Sequence, residues 1–455
     1  MNKIKIVICL IFLYNNLNAQ SISAHGSFSL FRCNNGTVQA TGINIYGQLG
    51  DGTFTDKNVP TQVSGLTDII EAVAGGVHSH FLKNDGSVWA VGGNNNGELG
   101  DGTNISKNIP VQLIGLTGTI KLANGDFNSF FVKNDGSVRA TGYNYFGQLG
   151  DGTNINRNTP VPINSLTGIT SCSASQLHSL FLKNNGTVWA TGFNQQGQLG
   201  DGTNIQRFTP VQLLGLSDIT SVACGAVHSL FLKNDGTVWS VGGNQNGQLG
   251  DGTFTDKNSA IQVSGLSGII AISAGYYHSL FLKNNGTVWV VGGNSYGQLG
   301  DGTTLDKNIP VQLSSLTGVI AISAGSEHSL FLKNDGTVWS VGLNEFGQLG
   351  DGTNTNRNIP IQITQVCNVT LEAPENDIEN GISIYPNPCK QELFIDYHDY
   401  PNTTIDVFNI QGQLVKSILL KSFQTILQIN DLTNGVYLVN IKNSKGKTFK
   451  KIVKQ

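Results

Sequence analysis

Two series of side chains in this sequence have the makings of chemistry. Imidazoles stand at His78, His178, His228, His278 and His328, in step with a 50-residue period, and Phe28 and Asn128 occupy the two remaining places. Carboxylates stand at Asp51, Asp101, Asp151, Asp201, Asp251, Asp301 and Asp351. Each is followed six positions later by a cation, namely Lys57, Lys107, Arg157, Arg207, Lys257, Lys307 or Arg357. Clustered imidazoles hold zinc, but a ligand shell brings every donor within about 2.1 Å of one ion. Residues on separate units arrayed about an axis stand too far apart for that, so each His is expected to order the loop of its own unit through hydrogen bonds. Paired carboxylates exchange protons as acid and base, and Asp-x-Asp loops hold calcium. Here each copy supplies a single carboxylate, which is expected to cap its own turn, with the cation in solvent or loosely paired. Trp89, Trp189, Trp239, Trp289 and Trp339 share a third position, with Gln39 and Arg139 in the other two copies. Such regular placement favours packing between units over a ligand cage. No Ser/His/Asp set, phosphate loop or metal cluster departs from the periodicity. The chain therefore reads as non-catalytic, without metal or cofactor.

Binding chemistry is better sought where the copies differ. One variable stretch precedes the Gly-Gln-Leu-Gly segment and offers Tyr46, Asn95, Tyr145, Phe146, Gln195, Gln245, Tyr296 and Phe346. A second precedes His-Ser and offers Tyr276 and Tyr277, beside Asp126-Phe127 and Ser326-Glu327 in other copies. Aromatic rings and amides on loop tips make these the candidate binding residues of a rim; the competing reading is drift in unconstrained loops.

The elements that must carry them follow from the repeat. Gly-Gln-Leu-Gly-Asp-Gly-Thr begins at Gly47, Gly147, Gly197, Gly247, Gly297 and Gly347, with Glu in place of Gln in the copy at Gly97. Seven copies at a constant 50-residue spacing imply a solenoid or a closed array. In the sixth copy a short run with small residues, 270–275, precedes His278-Ser279-Leu280-Phe281-Leu282-Lys283. Asn285-Gly286 then separates this run from Thr287-Val288-Trp289-Val290-Val291, and Asn-Gly between β-rich runs signals a tight hairpin. A fourth run, 309–313, carries Pro310, which suits a strand start or a sheet edge. Four short strands without a helical period describe one propeller blade, whose small-residue run suits the crowded axis. The expected fold is all-β, a seven-bladed propeller of four-stranded blades followed by a small β-sandwich.

The Ala-Gly-x-x-His-Ser motif, the Asn-Asp-Gly-x-Val-Trp hairpin and the Asn-x-x-Gly-Gln-Leu-Gly loop resemble the regulator of chromosome condensation repeat family over about residues 21–366. The resemblance implies a seven-bladed propeller. The last strand, Ile359 to Ile363, is expected beside the first blade, where it would close the ring and bring Cys33 near Cys367 for a disulfide that staples the closure.

Both ends of the chain read as addresses. Lys3 and Lys5 precede the apolar run Ile6 to Leu13, and Ala19 ends the segment, so residues 1–19 read as a secretory signal cleaved between Ala19 and Gln20. The propeller is assigned to 20–367 and an acidic linker to 368–381. Residues 382–455 alternate as a small β-sandwich. Tyr385-Pro386-Asn387-Pro388, Phe408-Asn409-Ile410-Gln411-Gly412, Leu432 to Tyr437 and the basic end Lys450 to Lys454 resemble the C-terminal sorting domain of the bacterial type IX secretion system. That resemblance implies passage through this machinery to the cell surface or the medium; the alternative is an accessory carbohydrate-binding or adhesive sandwich. Residues 20–381 hold 16 Lys and Arg against 25 Asp and Glu, a net −9 that repels phosphate backbones and excludes nucleic acid as a partner. No run is long enough to span a bilayer. The expected protein is a monomer outside the cell that recognises a protein or glycan. The alternatives are an inhibitor of a secreted enzyme such as a β-lactamase, since relatives of this propeller bind β-lactamases through one rim; guanine-nucleotide exchange, the founding family's activity, which export puts out of reach; and a hydrolase hidden in the divergent third copy with Asp126, Asn128 and Arg139.

Overall fold

The computed structural model describes residues 19–367, 382–397, 403–409, 414–420, 424–443 and 446–455. The apolar run of the signal and the linker 368–381 lie outside the described residues. Two compact units divide between Asn368 and Val369.

The first unit consists of seven four-stranded antiparallel sheets, each a meander built from one contiguous stretch of chain. In the first blade the strands run Ala19–His25, Phe28–Cys33, Val38–Gly42 and Lys57–Gln62, from the axis outward. In the sixth they run Ile269–Ala274, His278–Lys283, Val288–Gly292 and Lys307–Gln312. The Asn285-Gly286 hairpin forms because Gly286 takes φ +77°, a left-handed conformation open to glycine, and because Asn285 Oδ1 accepts from both the N–H and the hydroxyl of Thr287. The second strand of each blade, His-Ser-Leu-Phe-Leu-Lys in four of the seven, is buried along nearly its whole length because neighbouring blades cover both of its faces. Phe31, Phe81, Phe131, Phe181, Phe231, Phe281 and Phe331 are all fully buried there.

The tryptophans complete these seams. Trp339 packs on the cluster that joins Leu280 and Val290 of the sixth blade to Phe331 and Val341 of the seventh. On its other side the ring takes a lysine: Lys333 Nζ stands 5.6 Å from its centroid, and Lys183 stands 4.8 Å from that of Trp189.

As expected, the last strand lies beside the first blade, its Ile363 sharing a buried cluster with Phe31 and Cys33. The last strand, Arg357–Ile363, pairs with Val338–Gly342 and is the outer strand of the seventh blade, so no strand is exchanged with the first. The ring is closed instead by lateral contacts, in which Ala19, Ala24, Phe31 and Cys33 of the first blade share a buried cluster with Leu330, Leu332 and Val338 of the seventh. Cys33 and Cys367 are joined by a disulfide with Cα atoms 5.5 Å apart. Gln39 explains one gap in the tryptophan series, because its Oε1 accepts from the backbone N–H of Cys367 at 2.6 Å. The segment that returns to close the ring takes the space an indole fills elsewhere.

The second unit holds two antiparallel sheets. One contains Ile382–Tyr385, Glu392–Tyr397 and Gln424–Gln428; the other contains Leu414–Leu419, Thr404–Phe408, Gly435–Asn443 and Gly446–Lys454. Leu393 and Ile395 from the first sheet share a core with Ile405, Val407, Val439 and Ile441 from the second.

Candidate functional site

The periodic polar residues turn out to be fasteners between blades. Nε2 of His278 lies 3.0 Å from Ser329 Oγ in the next blade, and the same bond joins His78 to Ser129, His178 to Ser229, His228 to Ser279 and His328 to Ser29. Each serine donates its one proton to a backbone carbonyl, as Ser329 does to Gln298 at 2.8 Å, so the imidazole must donate from Nε2. In most copies Nδ1 is buried and has no partner, which leaves no support for a second proton. Burial accordingly pushes His178, His228, His278 and His328 down to about 3. The expectation that each His serves its own loop is thus corrected, since it ties its blade to the next. The ring folds over Gly275, where a Cβ would stand 2.1 Å from Cε1 of His278. In the fourth blade Ser175 stands at that glycine's place and bonds Nδ1 of His178 at 3.0 Å.

The carboxylate series is also more tightly held than expected. Asp51 Oδ1 accepts from Thr53 N–H at 2.9 Å and from the buried Asn44 amide at 3.1 Å, which shapes the loop. The cations are paired and not free in solvent: Asp–Lys or Asp–Arg distances run from 2.6 Å at Arg207 to 3.7 Å at Lys107. At Asp51 burial pulls the pKa up, but the Thr53 hydrogen bonds and Lys57 outweigh it and hold the carboxyl below the usual range. The loop then grips the neighbouring blade, with Gly52 N–H donating to Asn108 C=O at 2.9 Å and Gly352 N–H to Asn58 C=O at 2.8 Å across the closure. Both series are thereby committed to the scaffold. Among the described residues no group of three or more His, Cys, Asp or Glu is placed to hold a metal ion.

Both variable stretches emerge at one end of each blade, because the first and third connections of a four-stranded meander share an end. Gly293 N–H donates to Tyr277 C=O at 2.7 Å, joining the two loops of the sixth blade. On this rim Tyr46, Asn95, Tyr145, Gln195, Gln245, Tyr277 and Tyr296 are exposed, while Phe146 and Phe346 are half-buried. Tyr276 is placed otherwise. Its hydroxyl donates at 2.5 Å to Asp126, three blades away, and His25 Nε2 stands 3.4 Å from the same oxygen. Burial and the Asp126 charge push the Tyr276 phenol up. These three non-repeating residues meet across the central channel, a cavity of about 220 Å³ lined by Ser23, Ala74, Ala123, Ser173 and their counterparts.

On the third and fourth blades the rim gathers rings into one surface. Tyr145 meets Phe146 at 5.0 Å between centroids, Phe146 meets Phe193 at 5.2 Å, and Tyr143 lies 6.4 to 6.5 Å from Phe127, Tyr145 and Phe146. Tyr145 is the most open of these, 61% exposed. Sequence reading named Tyr145 and Phe146 but missed Tyr143 and Phe193. Their signal was a position that reads Gly93, Gly243 and Gly293 in three copies and an aromatic in only these two.

Comparison with known proteins agrees with this architecture. Residues 119–379 match the RCC1-like domain, residues 35–82 and 85–132 match the regulator of chromosome condensation (RCC1) repeat, and residues 383–455 match the secretion system C-terminal sorting domain. No curated protein matches the chain. Among solved structures, human WBSCR16 superposes with a TM-score of 0.66 at 22% identity, covering 72% of this chain and 94% of its own. Yeast RCC1 (Prp20), solved bound to Kap60, superposes with 0.65 at 21% identity, covering 82% and 88%. At such identity these likenesses speak for the fold alone. The sorting domain directs the protein through the type IX system to the cell surface or the extracellular space. The chain belongs to the RCC1-like propeller family and carries a type IX secretion tail.

Proposed function

We propose that the protein is a non-catalytic binding propeller that works outside the cell and holds a protein or glycan partner on the rim of its third and fourth blades. The observation that carries this reading is the continuous aromatic surface of Phe127, Tyr143, Tyr145, Phe146 and Phe193. It is built from residues the repeat leaves free to vary, on a scaffold whose polar groups are occupied with one another. Rigid aromatic anchors contribute most of the energy at recognition surfaces and lose little conformational entropy on binding. Signal cleavage between Ala19 and Gln20 would leave the inner strand of the first blade intact from Gln20 onward, in keeping with an exported propeller. The test is capture of partners from the surroundings of the producing cell, together with a glycan array, using the exported protein and its Tyr145→Ala/Phe146→Ala variant. The reading requires a bound partner whose capture falls at least tenfold in the variant. Equal capture by both proteins would exclude this rim.

A further inference from the structure

We propose that the cleft between the fourth and fifth blades is a binding site for one residue of a neutral sugar chain. The outer strand of every other blade carries a proline, at Pro60, Pro110, Pro160, Pro210, Pro310 and Pro360, preceded by Val, Ile or Thr; the fifth blade has Ser259-Ala260. Those prolines pack across the seam between blades, Pro160 against Gly100 and Pro210 against Gly150, whereas Gly200 faces Ala260's blade without one among its nearest neighbours. The small Ser259 lines a cleft of about 330 Å³ between the loop bearing Gln196 and Asn204 and the strand bearing Asn258 and Ile261, while Ala260 packs on the adjoining core. That volume lies at the lower end of the range for small-molecule sites, about 300–1,000 Å³.

The equivalent seams are occupied differently. At the place of Gln196 other loops carry Tyr46, Phe146, Tyr296 or Phe346, or an amide that reaches across. Asn246 Nδ2 bonds Asp306 Oδ2 at 2.9 Å, and Asn156 Nδ2 bonds Asn96 Oδ1 at 3.2 Å. Gln196 makes no such bond to Asp256, its amide oxygen lying 3.5 Å from its own loop's Gln198. Asp256 Oδ1 accepts from Asn244 N–H at 2.8 Å, which leaves its second oxygen free. The wall is preorganised, because Asn258 Nδ2 bonds Asn204 Oδ1 at 3.2 Å and Asn204 Nδ2 bonds Gln195 C=O at 2.8 Å.

A carboxylate oxygen, the Gln196 amide nitrogen and the Ser259 hydroxyl, held only by a 3.4 Å bond to Asn258 Oδ1, surround one opening and suit a ligand whose groups both donate and accept at several points, as sugar hydroxyls do. Ile261 offers an apolar wall to sugar C–H bonds. A phosphate or sulfate is disfavoured: the cation at the cleft, Lys257, is already 3.4 Å from Asp251, and the propeller's excess of acidic residues opposes polyanions. The cleft shares its loop with Phe193, whose ring meets Phe146, so a chain seated in it has an aromatic surface alongside. This assignment rests on the binding role proposed above and gives the partner its chemical class.

The experiment titrates the exported protein with glucose, mannose, galactose and N-acetylglucosamine and their oligomers, read by saturation-transfer NMR and calorimetry. Parent protein, Asp256→Asn and Ser259→Ile/Ala260→Pro are compared. The double variant restores residues that sister blades carry and should melt no lower than the parent, so lost binding does not mean lost fold. The proposal expects at least one neutral sugar to bind, at least tenfold more weakly to Asp256→Asn and not detectably to the double variant. Binding that survives the double variant, or no sugar binding to the parent, overturns it. In either case, partner capture that still depends on Tyr145 and Phe146 leaves the rim reading standing and removes only the cleft.

Discussion

Six buried rings make the propeller acid-sensitive: Nδ1 has no partner in His78, His228, His278 and His328 and meets Ser175 in His178, while His80 lies between Asn124 and the Leu99 carbonyl. His78, His80, His178, His228, His278 and His328 are all fully buried with depressed pKa values. The unfolded chain binds these protons near pH 6.5 while the folded chain refuses them until about pH 3 to 4 at most sites. Their contribution is complete above about pH 6.5 and falls by about 1.4 kcal/mol per ring for each pH unit below it. We expect unfolding, followed by circular dichroism, to be essentially complete by about pH 4. The third blade supplies a natural control, because Asn128 occupies the His place and donates to Ser175 C=O at 2.8 Å. His278→Asn should therefore cost little at pH 7.5, about 1 kcal/mol, and should reduce the number of protons taken up on acid unfolding by one, measured by the pH dependence of urea midpoints. The position and regularity of these histidines were legible in the sequence. Their partners were not, since the bonds span 51 residues, or 299 between Ser29 and His328 at the closure, and depend on two blades lying face to face.

At the scale of the element, the four-stranded blade was readable because local chemistry specifies it: Asn-Gly turns, alternating strands, and a proline on the outer strand. The same local rules say which glycines tolerate a side chain. Gly275→Ala should cost about 1–3 kcal/mol, because its Cβ would meet the His278 ring and the Gly325 carbonyl, and Ser175 beside His178 shows that a blade can take a side chain here once the ring has shifted. Gly265→Ala meets nothing within 4 Å and suffers only from its φ of +71°, so we expect a loss near 1 kcal/mol. Differential scanning calorimetry of the two variants would separate steric from conformational cost. The aromatic rim was half legible. Tyr145 and Phe146 stood out within their own loop, whereas Phe193 joins them only because loops of adjacent blades converge. The inward turn of Tyr276 was invisible, since Asp126 lies 150 residues away and the contact exists only once a ring has closed.

The propeller unit is a ring held by lateral contacts, with a covalent joint where its first and last blades meet. That joint encloses 334 residues, and cross-links over loops of this size restrict the unfolded chain enough to contribute about 3–5 kcal/mol. Cys33→Ser/Cys367→Ser, or reduction of the parent, should lower the thermal midpoint by several degrees while leaving far-ultraviolet circular dichroism unchanged at 25 °C. Acidity acts at this scale as well: we expect no retention of duplex DNA by the protein even at low salt, checked by gel shift. The absence of strand exchange has a consequence for how such a molecule can change over generations. Each blade is one uninterrupted 50-residue cassette whose neighbours are nearly the same. Recombination between the corresponding stretches of the gene can thus add or delete a whole blade without breaking any sheet. What the Cys33–Cys367 joint requires is that the first and last blades meet, whatever number of blades lies between them. A chain whose ring failed to close would be left with two unpaired cysteines, so the staple records closure and tolerates a change in the number of repeats.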